Sequence, residues 1–398
     1  MKSQNLRYDL EVSKDLVTWA TVPYTTNLDE LPTGTQLMHL RELQPQIAPC
    51  RFARIKVNYS AQEWPTAEPA KVGIDPAAIS EILAQIRRGE RGSINSFLVL
   101  RHGLLVSEGY FPGPGLFGEP YQEYDKDTMH RQYSVTKSVV STLIGIALDE
   151  GTITSIDTPV ADFFPQYPEL RLDAVKKTLT LRHLLSMTSG LAWDEQSLPY
   201  DNPANSHYQM DNASDPIRFV LDLPLESTPG TAWNYSSGVS MVLGAIVKAA
   251  TGKSADEYAV EKLFNPLGIH EYRWDRYPGG EIQTGGGLHL RPRDMAKFGS
   301  LLLNEGMWEG KRILSKAWVA EATNIQAGEM PYGYQWWIVP PGIFSWSGYM
   351  AIGIGGQYIF VLPDLDMVVV FTGGNTDDFL SIQPQIIVNE LLIPAVTR

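Results

Sequence analysis

Ser134-Val135-Thr136-Lys137 is the only S-x-x-K in the chain, and it opens a long apolar run over residues 138–148. If that run is a helix, Ser134 stands at its first turn and Lys137 lies three residues on, on the same face, within reach of the serine hydroxyl. A serine hydroxyl is a poor nucleophile until a neighbouring base takes its proton. A buried lysine can be that base, because desolvation disfavours its charged form and lowers its pKa. The helix N-terminus adds free N–H groups and a positive dipole end, both favourable to developing negative charge. The competing reading is a serine N-cap followed by an exposed lysine, and the tetrapeptide alone does not choose between them.

Composition narrows the field. The chain has 398 residues, 43% of them apolar, with ten tryptophans, enough for a sizeable globular core. A net charge of −13 argues against nucleic acid and against anionic membrane surfaces as partners. Cys50 is the only cysteine, so neither an internal disulfide nor a thiolate metal cluster is expected. The seven histidines show no H-E-x-x-H spacing, so no metal and no other cofactor is expected. The opening residues MKSQNLRYDLEVSKD hold no apolar core of signal-peptide length, and no run reaches the length of a membrane span. The expectation for the chain as written is a cytoplasmic protein without a membrane span, with export of a longer precursor left open. Nothing in the pattern sets an oligomeric state.

Working outward, residues 1–60 read as a small β module or extension. Leu6, Tyr8, Leu10 and Val12 alternate, residues 52–57 do the same, and Asn27-Leu28-Asp29 and Pro32-Thr33-Gly34 read as turns between them. The string over 8–19 resembles short fibronectin-like repeats of large bacterial secreted proteins, and an extension that merely packs on the main domain is the alternative. A boundary falls near Glu63-Trp64-Pro65, and 61–398 reads as the main domain. Asp75 caps a helix over 76–88 with Pro76 at its first position. Residues 96–100 and 104–110 form a hairpin around Arg101-His102-Gly103. The stretch 134–280 is mostly helical, 333–339, 357–362 and 367–372 read as strands, and 379–392 reads as a closing helix. Strands at both ends with helices between them predict an α+β fold: an antiparallel sheet built from both chain ends, flanked by helices, with an inserted helical lobe.

A second motif follows at Pro229-Gly230-Thr231-Ala232-Trp233-Asn234-Tyr235-Ser236-Ser237-Gly238. Tyr235 precedes an apolar helical stretch, and a tyrosine whose pKa is lowered by a nearby lysine ammonium can shuttle protons. A half-buried structural tyrosine is the competing reading.

Together with Thr180-Leu181-Arg182-His183-Leu184-Leu185-Ser186-Met187-Thr188-Ser189-Gly190-Leu191, these motifs resemble the serine β-lactamase-related hydrolases. Leu263-Phe264-Asn265-Pro266-Leu267-Gly268-Ile269, Gly285-Gly286-Gly287-Leu288 and Arg293-Asp294-Met295-Ala296-Lys297-Phe298-Gly299 extend the resemblance, which covers about residues 61–398. That group includes class C β-lactamases, penicillin-binding D,D-peptidases, family VIII carboxylesterases and 6-aminohexanoate-dimer hydrolases. The resemblance implies a β-lactamase/D,D-peptidase-like fold and an acyl-enzyme mechanism, in which Ser134 attacks while Lys137 and Tyr235 move protons.

Two departures bear on substrate. The family's second motif is often Tyr-x-Asn, whereas here Tyr235-Ser236-Ser237 keeps a hydroxyl and loses the amide. Its third motif in β-lactamases is Lys-Thr-Gly, and the equivalent here is Ala351-Ile352-Gly353, followed by Ile354-Gly355-Gly356-Gln357, without a cation. A buried unpaired carboxylate is costly, which weighs against β-lactams and D-alanyl peptides. The amides of Ser134 and Ile354 are the expected oxyanion hole. Trp193, Tyr200, Ser237 and Gly353 are the expected substrate contacts. His183 reads as a structural hydrogen-bonder, the triple glycine as a tight turn without chemistry of its own, and Gly252 as a helix C-cap.

The expectation is therefore a serine hydrolase acting on a small carboxylic ester, or an amide, through acyl-Ser134. A 6-aminohexanoate-oligomer amidase comes next, then a weak β-lactamase or D,D-peptidase. Outside the enzymes, a silent acyl-binding relative is the alternative.

Overall fold

Strands Ile94–Arg101 (β1) and Leu104–Tyr110 (β2) form a hairpin whose reversal uses left-handed backbone at His102 (φ 52°) and Gly103 (φ 73°). In the computed structural model of the chain, four C-terminal strands join them: Trp337–Val339 (β3), Gly348–Gly353 (β4), Gln357–Leu362 (β5) and Met367–Gly373 (β6). The result is one six-stranded antiparallel sheet in the order β3-β4-β5-β6-β1-β2. Both chain ends of this domain therefore meet at the β6–β1 pair, as the sequence pattern leads one to expect. The structure describes residues 64–397 apart from 118, 329 and 343, together with the strand backbones between residues 6 and 59.

Side chains alternate across a strand, and here each face has its own core. Leu98, Leu100, Val368 and Val370 turn to one face; Phe97, Val99, Val369 and Phe371 turn to the other. The second face is covered by helix Pro76–Arg87 (α1) through Ile79, Ile82 and Ile86, and by Ile387, Val388 and Leu392 near the C-terminus. The first packs against helices Val135–Asp149 (α2) and Pro292–Leu303 (α4), and Ser237–Thr251 (α3) of the inserted lobe packs in turn on α2. Burial on both faces explains why these strands read as continuous apolar runs. Each such aliphatic side chain contributes roughly 1.5–3 kcal/mol by leaving water.

Helix α2 is the buried axis of the lobe: every residue from Val135 to Ala147 is buried. A helix buried on all sides must be enclosed; its small polar side chains, Thr136, Ser138, Ser141 and Thr142, are buried with it, and its one buried ionisable side chain is Lys137. Helix α3 starts at an N-cap, Ser236, whose side chain accepts from the Val239 amide, and ends at Gly252 in left-handed backbone (φ 73°).

Three segments depart from the sequence reading. The strand expected over 333–339 is confined to Trp337–Val339, because Gln335 takes φ 63° and its side chain donates to the carbonyls of Leu184 and Leu185. The closing helix over 379–392 is broken into Asp378–Ser381, Gln383–Ile387 and a wider turn Val388–Leu392. Pro384, which lacks an N–H to continue a helix, opens the second piece. Asn27-Leu28-Asp29 is no turn: it lies in strand Tyr24–Glu30, paired with Gln36–Glu42, since ladder pairing overrides the local turn preference.

The chain divides into two units, Met1–Glu63 and Trp64–Arg398. In the first, Leu6–Ser13 lies between Ala20–Val22 and Phe52–Tyr59 in an antiparallel sheet, and Tyr24–Glu30 with Gln36–Glu42 forms a separate ribbon. The turn expected at Pro32-Thr33-Gly34 and the inward and outward faces of these strands lie outside the described residues. Among the described residues, no helix is long and apolar enough to cross a membrane.

Candidate active site

Ser134 stands at the N-terminal end of α2 with helical backbone (φ −69°), directly after Tyr133, which is left-handed (φ 46°). That conformation costs a bulky residue of order 1–3 kcal/mol, and neighbours hold it. The Arg131 guanidinium lies 5.0 Å from the Tyr133 ring centroid, and Phe117 meets the ring edge-on at 5.8 Å. Arg131 also donates to the Gly286 carbonyl, and its strand pairs with Leu288–Leu290. The segment before the nucleophile is thereby tied to the triple-glycine turn.

Lys137 follows one turn along α2, only 1% exposed. Its Nζ lies 2.8 Å from Ser134 Oγ, 3.0 Å from Ser237 Oγ and 2.6 Å from the Gly285 carbonyl oxygen. Burial pushes its pKa down to about 8, against the opposing pull of the Glu195 carboxylate. Near neutrality and above, a useful fraction of the amine is unprotonated and able to accept a proton.

Tyr235 comes from the loop leading to α3. Its side chain faces that of Ser134, and Lys137 Nζ lies 5.0 Å from its ring centroid. Burial holds its pKa well above the usual tyrosine value, with Tyr332 and Glu195 pushing the same way. The sequence reading had this pKa lowered by the lysine. The structure reverses the direction, because the ring is enclosed by Trp337, stacked at 6.0 Å, and by Tyr332 and Trp233. Tyr235 is thus a protonated donor at ordinary pH, not a phenolate.

The third motif ends β4. Gly353 pairs with Gln357, and the intervening turn carries Ile354 and two left-handed glycines, Gly355 (φ 88°) and Gly356 (φ 98°). A Cβ on Gly353 would lie 2.3 Å from the Gln132 carbonyl oxygen. Only glycine lets this strand approach the backbone two residues ahead of Ser134 so closely. Ile354 follows at once, with its side chain exposed.

The remaining expected residues group around a carboxylate that the sequence reading passed over. Glu195 is 2% exposed. It accepts from the Trp193 indole (2.7 Å), the Ser237 amide (2.6 Å), the Ser237 hydroxyl (3.0 Å) and the Tyr200 hydroxyl (3.2 Å). Trp193 is buried, its ring packed where any Cβ on Gly238 would fall. It therefore supports Ser237 from behind, while Tyr200 is exposed at the surface of the same cluster. Two other features went unread. The Gly285 carbonyl is a partner of Lys137, and Tyr332 and Trp337 wall Tyr235. The glycine run was the only local signal for the first, and burial of a single Glu or Tyr leaves none. His183 Nδ1 accepts from the Thr180 amide in a helix cap, away from these groups.

A part-buried serine beside a buried lysine at a helix start, a neighbouring tyrosine and a glycine-ended strand thus lie together, an arrangement of the kind acyl transfer requires. The Beta-lactamase family model matches residues 89–378. The chain belongs to the beta-lactamase family. Within it, the chain is 26% identical over 335 residues to the 6-aminohexanoate-dimer hydrolase of Paenarthrobacter ureafaciens, covering 76% of this chain and 79% of that protein. It is 28% identical over 221 residues to Esterase EstB of Burkholderia gladioli, covering 51% of this chain and 54% of that one. The octameric penicillin-binding protein homologue from Pyrococcus abyssi is similar in fold, with a TM-score of 0.60 at 20% identity over 79% of this chain and 78% of that chain. The β-lactamase/D,D-peptidase-like fold expected from the motifs is the fold observed.

Proposed function

We propose that this beta-lactamase family member is a serine hydrolase that cleaves small carboxylic esters through an acyl-Ser134 intermediate. The observation that carries the reading is the 2.8 Å contact between the buried Lys137 Nζ and Ser134 Oγ. Neutral Lys137 takes the Ser134 proton as Oγ bonds to the ester carbonyl carbon. The amides of Ser134 and Ile354 hold the resulting oxyanion. The tetrahedral adduct collapses, the bond to the alkoxide breaks, and the Tyr235 hydroxyl gives the departing oxygen its proton. Tyr235 is reprotonated from the Lys137 ammonium. Water then enters and gives a proton to Lys137 as its oxygen bonds to the acyl carbon; the bond to Ser134 Oγ breaks, releasing the acid, and the Lys137 ammonium returns the proton to Ser134.

Ala351-Ile352-Gly353 supports ester over β-lactam, since no cation stands in that triad to meet a substrate carboxylate. A protonated Tyr235 also suits an amide, whose amine must leave with a proton, so a linear amide of the 6-aminohexanoate kind is the second reading. Trp193, Tyr200, Ser237 and Gly353 are proposed to shape the acyl side of the site, Trp193 from beneath.

The test is a panel of initial rates on short and long p-nitrophenyl esters, a chromogenic cephalosporin and a 6-aminohexanoate dimer, each beside Ser134→Ala. Ester turnover lost in the variant, with a silent cephalosporin, is the expected result. A covalent adduct that never turns over would point instead to an acyl-binding protein. Fast cephalosporin hydrolysis would overturn the reading of the third motif.

A further inference from the structure

We propose that Glu195 is a positioning residue that fixes the hydroxyl hydrogen of Ser237 and, through it, aims the lone pair of Lys137 at Ser134. The inference rests on the proposed role of Lys137 as base and goes on to say what makes that base directional.

Hydrogen-bond capacity decides the matter. The carboxylate of Glu195 has no hydrogen to give and takes four bonds. Two of its partners, the Trp193 indole N–H and the Ser237 amide, can only donate. The Ser237 hydroxyl owns one hydrogen, and Glu195 Oε1 at 3.0 Å takes it. Toward Lys137, 3.0 Å away, Ser237 Oγ is then only an acceptor. The Gly285 carbonyl at 2.6 Å is an acceptor by nature. A neutral amine has two hydrogens and one lone pair, and these two acceptors occupy both hydrogens. The lone pair is left for the third neighbour, the Ser134 hydroxyl at 2.8 Å. When Ser134 gives up its proton, the resulting ammonium has three hydrogens for three partners already in place, so no group has to turn.

Without Glu195 the arrangement loses its direction. A Ser237 hydroxyl free to rotate can donate into the lysine lone pair and compete with Ser134. The second motif, in which a serine stands in place of an asparagine, needs such a lock because a hydroxyl, unlike an amide oxygen, is not an acceptor by constitution.

Glu195→Gln tests this with nearly unchanged shape. Its oxygen must face the two obligate donors, so its NH2 takes the Oε1 position and donates to Ser237, releasing the serine hydrogen toward Lys137. The expected result is a kcat on a p-nitrophenyl ester lowered roughly 100-fold, the low end of a general-base contribution, with KM changed less than about twofold. The acid limb of kcat/KM also moves to lower pH, because the lost carboxylate no longer favours the lysine ammonium. The other titratable groups facing the cluster are Tyr200, Tyr235 and Tyr332, with His207 against the outer side of Tyr200. All three tyrosines are held protonated by burial, so none of them produces that limb.

Ser237→Ala, which leaves Glu195 in place, supplies the second arm. It should lower kcat to a similar extent, and adding Glu195→Gln to it should cost little more, since both act through one hydroxyl. A Ser237→Ala variant with native kcat overturns the proposal even if Glu195→Gln fails to fold. So does a Glu195→Gln variant with native kcat, or one whose loss is the same in both backgrounds. Ser134→Ala separates this from the parent reading. Activity that survives it removes the serine mechanism altogether, whereas an inactive Ser134→Ala beside a fully active Glu195→Gln removes only the role given to Glu195.

Discussion

The ammonium nitrogen of Lys137 lies over the ring of Tyr235, 5.0 Å from its centroid, and burial drives the two groups in opposite directions. The lysine falls to about 8 and the tyrosine rises well above its usual value. Above about pH 8 both are neutral, one ready to accept a proton and the other still able to give one.

The pH–rate profile should show this directly. For a neutral ester, kcat/KM is expected to climb through about pH 8 as free-enzyme Lys137 loses its proton. No fall assignable to Tyr235 should follow within the stable range, because that hydroxyl stays protonated. Steady-state rates across pH 5.5–10 would check it. A profile already flat by about pH 6 would mean that Lys137 is not the base.

Tyr235→Phe keeps the ring against Trp337 and removes only the hydroxyl. We expect kcat to fall by about 100-fold or more with KM little changed, as for loss of a general acid. Measuring both constants on one ester decides; an effect confined to KM would assign the hydroxyl to binding alone.

These two residues also show how far the sequence reaches. The S-x-x-K spacing and the helical run after it place Lys137 beside Ser134 by helix geometry alone, and the motif at 229–238 brings Tyr235 forward. What the spacing does not hold is the surroundings. Tyr235 is buried by Tyr332 and Trp337, about a hundred residues further along, so the direction of its pKa was not legible. Glu195 meets Ser237 across 42 residues of chain, and nothing local distinguishes it from an exposed loop carboxylate. The fold class was readable because the short apolar runs of the strands and the longer apolar run of α2 are both local patterns. The length of β3 was not, since it depends on where Gln335 finds its partners.

The buried lysine also predicts a stability signature. The unfolded chain holds this proton up to the ordinary value of 10.5, the folded chain only to about 8. Between those values the unfolded state binds more protons, so the native chain gains stability as pH rises. Lys137→Met removes the term. The unfolding free energy of the native chain relative to Lys137→Met should therefore increase by about 3 kcal/mol from pH 7.5 to pH 10.5. Parallel urea titrations would measure it, and a difference independent of pH would contradict the depressed lysine.

At the third motif the expectation is steric. A methyl group on Gly353 would sit 2.3 Å from the Gln132 carbonyl oxygen, a backbone atom that cannot rotate away. Gly353→Ala should cost roughly 1–3 kcal/mol of stability, as overpacking does, and lower kcat by more than about tenfold by moving Ile354 relative to Ser134. Thermal unfolding and ester kinetics on the same preparation would test both halves. Native values in each would show that this strand need not press on the nucleophile segment.

The central claim is that Ser134 is the acylated nucleophile, and covalent labelling tests it most directly. Treatment of the intact protein with a fluorophosphonate ester, followed by peptide mass mapping, should give one adduct on Ser134, formed in step with loss of p-nitrophenyl ester turnover and absent in Ser134→Ala. An adduct on another residue, or turnover that persists in Ser134→Ala, would contradict it.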